Sequence, residues 1–192
     1  MKEFPNWFAS AEPNFARFLS HYQDKPDLHF LQIGVFTGDA SLWLLRNVIT
    51  DRSSYLTDVD TWKGSPNEDI HMQMDFEDVM DMYTMKMRNY SNVIPMRMSS
   101  ADFFKRTDPQ QFDFIYIDGD HTAAATYADA VGAWGCLKNG GILAFDDYNW
   151  GNGLADQSLA PKPGIDKFLA EHEGEYTLLV KEGQVWIKRA NI

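Results

Sequence analysis

Two apolar runs that each end in a cluster of carboxylates restrict this 192-residue chain more than anything else in it. Phe112-Asp-Phe-Ile-Tyr-Ile117 leads into Asp118-Gly119-Asp120-His121, and Gly141-Ile-Leu-Ala-Phe145 leads into Asp146-Asp147-Tyr148. Continuous apolar runs of this length, rich in aromatic and β-branched residues, suit strands buried on both faces of a parallel sheet. Between them Ala123 to Leu137 has helical length, and Asn139-Gly140-Gly141 reads as its stop signal. Strand, helix and strand make a βαβ unit, so both acid clusters emerge at the same carboxyl edge, where open α/β sheets bind ligands. Four carboxylates and a histidine converging on that edge form the pattern of an active site.

The rest of the chain extends this unit. Strands are expected at about 28–34, 54–60, 93–99, 112–118 and 141–146, with helices over 40–48, within 75–89 and over 123–137. Such alternation predicts an α/β fold with a parallel sheet covered on both faces. Glu175–Lys181 and Gln184–Lys188 flank Glu182-Gly183 and read as a terminal antiparallel hairpin. The expected organisation is one domain over 1–192, with a helical N-terminal cap over 1–25 and a core over 28–192. Phe15, Phe18, Leu19 and Tyr22 share one helical face, so the cap packs on the sheet or covers the site. Eight of nine methionines lie between Met72 and Met98. Phe76, Val79, Met80, Tyr83 and Met87 follow helical spacing, which fits core packing; their flexible thioethers also suit an adaptable wall over a substrate. Gly64-Ser-Pro-Asn-Glu-Asp69 reads as a loop able to hinge such a lid.

A net charge of −11, with no basic cluster longer than Lys105-Arg106, leaves no footprint for a nucleic-acid partner. It favours a small neutral or cationic acceptor. No run approaches the ~20 apolar residues of a membrane span. The opening Met1-Lys-Glu-Phe-Pro lacks the apolar stretch of a secretory signal, so a cytoplasmic protein is expected. The single cysteine, Cys136, falls in the apolar pattern of a helix and reads as a buried, inert thiol. His21, His29, His71 and His172 have no motif context and read as surface or packing residues.

The first strand ends in Leu31-Gln-Ile-Gly34-Val-Phe-Thr-Gly38, followed by Asp39-Ala-Ser41 opening a helix. Glycines at such a turn permit positive φ and close approach of a ligand to the backbone, and the helix N-terminus offers free N–H groups to an anionic group. Phe36 stands where the dinucleotide fingerprint needs a glycine, and no Gly-Lys-Ser/Thr follows, so neither that motif nor a P-loop is present. The second strand ends in Thr57-Asp58-Val-Asp60-Thr-Trp62. An acid there can accept both hydroxyls of a ribose. Alternation points Asp58 and Asp60 the same way and favours Asp60, the nearer to the strand end; Trp62 either stacks on an adenine or packs in the core.

Taken in order, Gln32-Ile-Gly34-Val-Phe-Thr-Gly38, Asp58-Val-Asp60-Thr-Trp62, Ile117-Asp-Gly-Asp-His121, Gly140 through Tyr148 and Pro163-Gly-Ile-Asp-Lys-Phe168 resemble the class I S-adenosylmethionine-dependent methyltransferases. The nearest likeness is to the small-molecule O-methyltransferase branch that includes the macrocin-type sugar enzymes. The resemblance runs from about Leu28 onward and is most specific over Asp118–Tyr148. It implies a doubly wound, mostly parallel Rossmann-like sheet of seven strands, the last hairpin antiparallel, with helices on both faces.

The same resemblance implies roles. Gln32, Gly34, Phe36 and Gly38 would shape the methionine end of the cofactor site, Asp60 would bind the ribose, and Ser100 would lie beside the adenine with Trp62. Asp118, Asp146 and Asp147 would hold a magnesium ion, Asp118 also bordering the cofactor. Asp120, with His121 beside it, would take a proton from the acceptor. Gln32 replaces the glutamate usual at the end of the first strand, and Ala40 stands where many relatives carry a serine, with Ser41 one place beyond. The chemistry so implied is methyl transfer to a hydroxyl of a small sugar, diol or catechol-like acceptor, with a divalent metal lowering the pKa of the attacked oxygen. Metal-dependent hydrolysis would leave the glycine turn and Asp60 without a purpose. A non-catalytic nucleoside-binding domain, metal-free N-methylation and assembly with further copies of the chain stay open.

Overall fold

The computed structural model describes residues 3–65, 69–109 and 111–191. Seven strands form one sheet in the order β3-β2-β1-β4-β5-β7-β6. They are β1 (His29–Ile33), β2 (Tyr55–Asp60), β3 (Val93–Arg97), β4 (Phe112–Ile117), β5 (Leu137–Phe145), β6 (Tyr176–Lys181) and β7 (Val185–Arg189). The first five run parallel, and β7 enters antiparallel between β5 and β6. Strand order reverses between β1 and β4, which opens a crevice at their carboxyl ends.

Alternation along the strands divides the core in two. Phe30, Leu56, Phe114, Tyr116 and Trp186 face one layer, built from α1 (Glu12–Leu19), α2 (Asp39–Asn47) and α4 (Phe76–Met87). Leu31, Val59, Ile115, Leu143 and Ile187 face the other, built from α5 (Ser100–Phe104), α6 (Ala123–Cys136) and α7 (Lys162–Glu171). Helix α3 (Asp69–Met72) is a single turn at the carboxyl edge. Phe15 of α1 is fully buried and meets Phe114, Tyr116 and Trp186 edge-on. The N-terminal stretch thus packs on the sheet, as the shared face of Phe15, Leu19 and Tyr22 requires.

Helix α6 does not stop at the glycines. It ends at Cys136; Leu137 is already extended, and Asn139-Gly140-Gly141 lies inside the irregular first half of β5, where Gly140 has φ +74°. The stop comes from the far end of the chain. The Arg189 guanidinium donates to the Trp134 and Leu137 carbonyls at 2.7 Å each, taking groups the helix leaves unpaired. Cys136 is buried, as expected. Among the described residues no helix is long and apolar enough to cross a membrane.

Helix α4 turns one face into the core, but of the eight methionines between Met72 and Met98 only Met87 is buried. In α4 the buried side chains are Val79, Tyr83 and Met87, and they pack under the β1–α2 turn. Met72 is exposed, and only Met98 of the group borders the main cavity. Of the expected hinge loop, Pro66, Asn67 and Glu68 lie outside the described residues.

Candidate active site

A cavity of about 580 Å³ opens at the switch point between β1 and β4, within the ~300–1,000 Å³ common for small-molecule sites. Gly34, Phe36, Asp60, Ser100, Asp118, Asp120, His121, Asp146 and Asp147 all border it. Sequence reasoning therefore gathers nine of its residues in one place. Gln32, Gly38 and Trp62 are corrections, because none of them borders the cavity.

Gln32 lies one residue before the end of β1 and faces the α2 layer. Its Nε2 donates to the Gly34 carbonyl (3.0 Å) and its Oε1 accepts from Ser41 Oγ (3.2 Å), so it braces the turn from behind. Gly38 adopts φ +79° to start α2, and a Cβ there would lie 2.8 Å from the Tyr83 ring. Trp62 takes a left-handed φ of +47°, which turns its ring inward onto Tyr83, while its Nε1 donates to the Phe36 carbonyl at 3.0 Å. Beside the α2 N-terminus, Lys86 Nζ donates to Thr37 Oγ1 (2.9 Å) and Asp39 Oδ1 (2.7 Å).

Asp60 organises the turn. Its Oδ2 accepts from the Val35 and Phe36 N–H groups (2.7 and 3.0 Å), and its Oδ1 from Trp62 N–H (2.7 Å). Phe36, at φ +52°, presents its ring to Trp7 of the N-terminal segment, stacked at 4.5 Å. Two further bordering residues were not singled out for the site from sequence. His71 packs among Trp7, Phe36 and Phe76, in keeping with its reading as a surface or packing residue, but it also borders the cavity, where its Nδ1 accepts from Ser65 N–H at 3.1 Å. Asp129 of α6 is buried at the Ser100 end of the cavity, where burial pushes its carboxyl up to about 6. The one charged residue of α6, nearly two turns in, was the available signal.

The acid cluster divides. Ligand atoms of Asp118, His121 and Asp147 lie within 4.8 Å of one another. Asp147 reaches this group through a left-handed φ of +56°, and its Oδ2 stands 3.0 Å from His121 Nε2. Asp146, expected as a metal ligand, is outside the group. It accepts from the Tyr116 hydroxyl, from Gln184 Nε2 (3.0 Å) and from Asp147 N–H (2.9 Å). Burial, then the charges of Asp146 and Asp147, push Asp118 well above the usual carboxylate range; His121 pulls the other way. Burial and Asp147 raise Asp146 as well. Asp120 sits exposed on the rim, its Oδ1 accepting from Thr122 N–H at 2.8 Å.

Behind the turn, Asp58 is fully buried, and its Oδ2 accepts from the Tyr83 hydroxyl at 2.9 Å. Burial pushes this carboxyl up to about 7, against ~3.9 in an unfolded chain. The folded protein binds this proton more tightly, so the associated stability is complete below about pH 4 and is lost as pH rises through about 7. Asp58→Asn is expected to remove that loss. Between pH 5 and pH 8 the variant should gain on the natural chain by about 2.5 kcal/mol in urea unfolding. Parallel pH profiles for the two proteins would overturn this.

A family model described as a methyltransferase domain matches residues 31–148, more than half of the chain. The chain belongs to that methyltransferase family. It is a class I, S-adenosylmethionine-dependent methyltransferase, and its seven-stranded mixed sheet is the fold of that class. No curated protein matches the sequence. Among solved structures, a putative O-methyltransferase from Klebsiella pneumoniae superposes with a TM-score of 0.69 at 16% identity, covering 99% of this chain and 84% of that one. MycE, from the mycinamycin biosynthetic pathway and bound to Mg and SAH, gives 0.62 at 17%, covering 98% of this chain and 51% of that one. The N-methyltransferase NodS from Bradyrhizobium japonicum WM9 gives 0.61 at 13%, covering 97% and 98%. Likeness at such identities speaks for the fold; an O- and an N-methyltransferase both share it.

Proposed function

We propose that the protein transfers the methyl group of S-adenosylmethionine to a hydroxyl of a small sugar, diol or catechol-like acceptor, assisted by a divalent cation. The observation that carries this reading is the Asp118–His121–Asp147 group bordering the same cavity as the Gly34–Phe36 turn. Two carboxylates and an imidazole within reach of one point fit a divalent cation, which would offset both the burial that chiefly raises Asp118 and the neighbouring charges of Asp146 and Asp147. One nitrogen donor in the set also suits manganese or another first-row ion better than an all-oxygen magnesium site would. When bound, the ion would act as a Lewis acid and lower the pKa of an acceptor hydroxyl.

The chain's own residues supply the rest. The Val35–Phe36 backbone, fixed by Asp60, shapes the methionine end of the cofactor site, and Asp60 keeps acceptor capacity for the ribose. Ser100 and Asp129 border the adenine end. Trp7, Phe36 and Trp150 exclude water from the acceptor side, which holds the attacking oxygen in line with the sulfonium methyl. Asp120, exposed on the rim beside His121, receives the hydroxyl proton. The 3.0 Å contact between His121 and Asp147 favours a second reading: without a metal, this pair is a base oriented by a carboxylate and would serve transfer to an amine.

Calorimetric titration with S-adenosylhomocysteine (SAH), with and without Mg²⁺ or Mn²⁺, followed by turnover assays with and without EDTA, tests the reading. Micromolar SAH binding and EDTA-sensitive methylation of diols or catechols are expected. EDTA-insensitive turnover would select the metal-free base, and absence of SAH binding would count against catalysis altogether.

A further inference from the structure

Asp147 brings its carboxylate to His121 and Asp118 from a left-handed backbone, at φ +56°, a conformation uncommon for residues with a side chain. Two local hydrogen bonds shape the turn. Asp147 N–H donates to Asp146 Oδ1 (2.9 Å), and the Asp147 carbonyl accepts from Trp150 N–H (2.8 Å). Both partners belong to the same short segment, so these bonds set the form of the turn and not its place on the molecule. Before the turn, the chain is anchored by β5, which ends at Phe145. After it, the first anchored residue is Tyr148.

Tyr148 is held by its backbone, its ring and its hydroxyl. Its N–H donates to the Gly183 carbonyl at 2.9 Å. The ring is buried with the α6 and α7 side chains. The hydroxyl donates to Asp166 Oδ1 (2.8 Å) and accepts from Lys162 Nζ (2.6 Å). Asp166 in turn accepts from Lys162 on Oδ2 (2.6 Å) and from Lys181 on Oδ1 (2.8 Å). Burial pushes the Asp166 carboxyl up, but the hydrogen bonds from Lys162, Lys181 and Tyr148 outweigh it and hold the group at about 2. Two ammoniums on one carboxylate leave a positive surplus, and it lies over the Tyr148 ring, with Lys162 Nζ 4.4 Å and Lys181 Nζ 5.2 Å from the centroid. Tyr148, Lys162, Asp166 and Lys181 do not border the cavity. They tie α7 and β6 to the residue that follows Asp147.

We infer that Tyr148, fixed through its hydroxyl by Asp166, Lys162 and Lys181, is a positioning residue for the Asp118–His121–Asp147 group. It pins the chain just after Asp147, so that the left-handed turn delivers the Asp147 carboxylate to the cation site. Tyr148 itself touches neither cofactor nor acceptor; it acts through its neighbour. The inference rests on the divalent-cation reading and gives the Tyr148 hydroxyl a task that filling the core does not require.

Calorimetric titration of Mn²⁺ into the SAH-loaded protein tests this, with the natural chain, Tyr148→Phe, Asp166→Asn, Asp147→Asn and the double variant Tyr148→Phe/Asp147→Asn. Tyr148→Phe keeps the buried ring and loses only the hydroxyl. Asp166→Asn breaks the same link at a partly exposed position, without touching the ring. Each is expected to weaken Mn²⁺ binding by about tenfold, with SAH affinity within about twofold. The double variant should bind Mn²⁺ no more weakly than Asp147→Asn alone, because a residue acting through Asp147 then has nothing left to position. A merely structural hydroxyl would lower the urea midpoint and leave the Mn²⁺ affinity of the folded protein unchanged. That result, or a full tenfold loss added in the double variant, would overturn the inference and leave the cation reading standing. A natural chain that binds SAH but not Mn²⁺ would strike the cation reading and the inference with it, and failure to bind SAH would strike the assignment itself.

Discussion

Gly34→Ala is expected to cost at least about 3 kcal/mol of stability and to abolish SAH binding. A Cβ at this position would lie 1.8 Å from the Asp118 carbonyl oxygen and 2.4 Å from its carbonyl carbon. Both are backbone atoms, so no side chain can swing aside. Neither strand can retreat, because Gly34 N–H donates to Val59 at 2.9 Å and Asp118 N–H donates to Ile33 at 2.8 Å. The φ of +79° adds conformational strain for any residue with a side chain. Moving the Asp118 peptide would also displace the carboxylate nearest both the cofactor turn and His121. Urea unfolding and SAH titration of the variant measure both effects. An alanine variant with an unchanged midpoint and SAH affinity within threefold would refute this account.

Asp147→Asn and Asp146→Asn are expected to separate chemistry from scaffolding, although the two residues are adjacent. Asp147 faces His121 and Asp118. Its amide variant should lower kcat by about 100-fold or more while leaving SAH affinity within about twofold, because a ligand or base-orienting carboxylate is lost and the cofactor turn is untouched. Asp146 accepts three hydrogen bonds from fixed partners, and an amide must turn an NH₂ toward at least one donor. That variant should unfold about 1–3 kcal/mol more easily, with its activity following the folded fraction. The decisive comparison is kcat per folded molecule. Equal losses in the two variants would mean that Asp146 takes part in the chemistry and that the division of the acid cluster is wrong.

Much of this arrangement is written in local sequence. Runs such as Phe112–Ile117 can only be buried strands, and an acid after each must emerge at one edge. The hairpin around Glu182-Gly183 follows from its turn residues. What was hidden depends on single backbone angles. Sequence alone does not reveal that Trp62 and Asp147 adopt left-handed φ, yet that conformation sends one ring into the core and brings one carboxylate to His121. Alternation along β1 places Gln32 behind the turn, on the face shared with Phe30. The end of α6 was legible to within one residue, but not what holds it there: Arg189, more than fifty residues away, takes the Trp134 and Leu137 carbonyls.

Gln184 carries a consequence for the newly made chain. Its Oε1 accepts from Asn14 Nδ2 (2.7 Å) and Trp186 Nε1 (3.0 Å), while its Nε2 holds Asp146, so α1 and the final hairpin meet behind the acid pair. During synthesis the cofactor turn, Asp60 and both acid clusters all precede the residue that fixes Asp146. Until β7 slides in beside β5, a growing chain holds the parts of a methyl-transfer site with its acids unsecured, and competence waits for the β6–β7 hairpin.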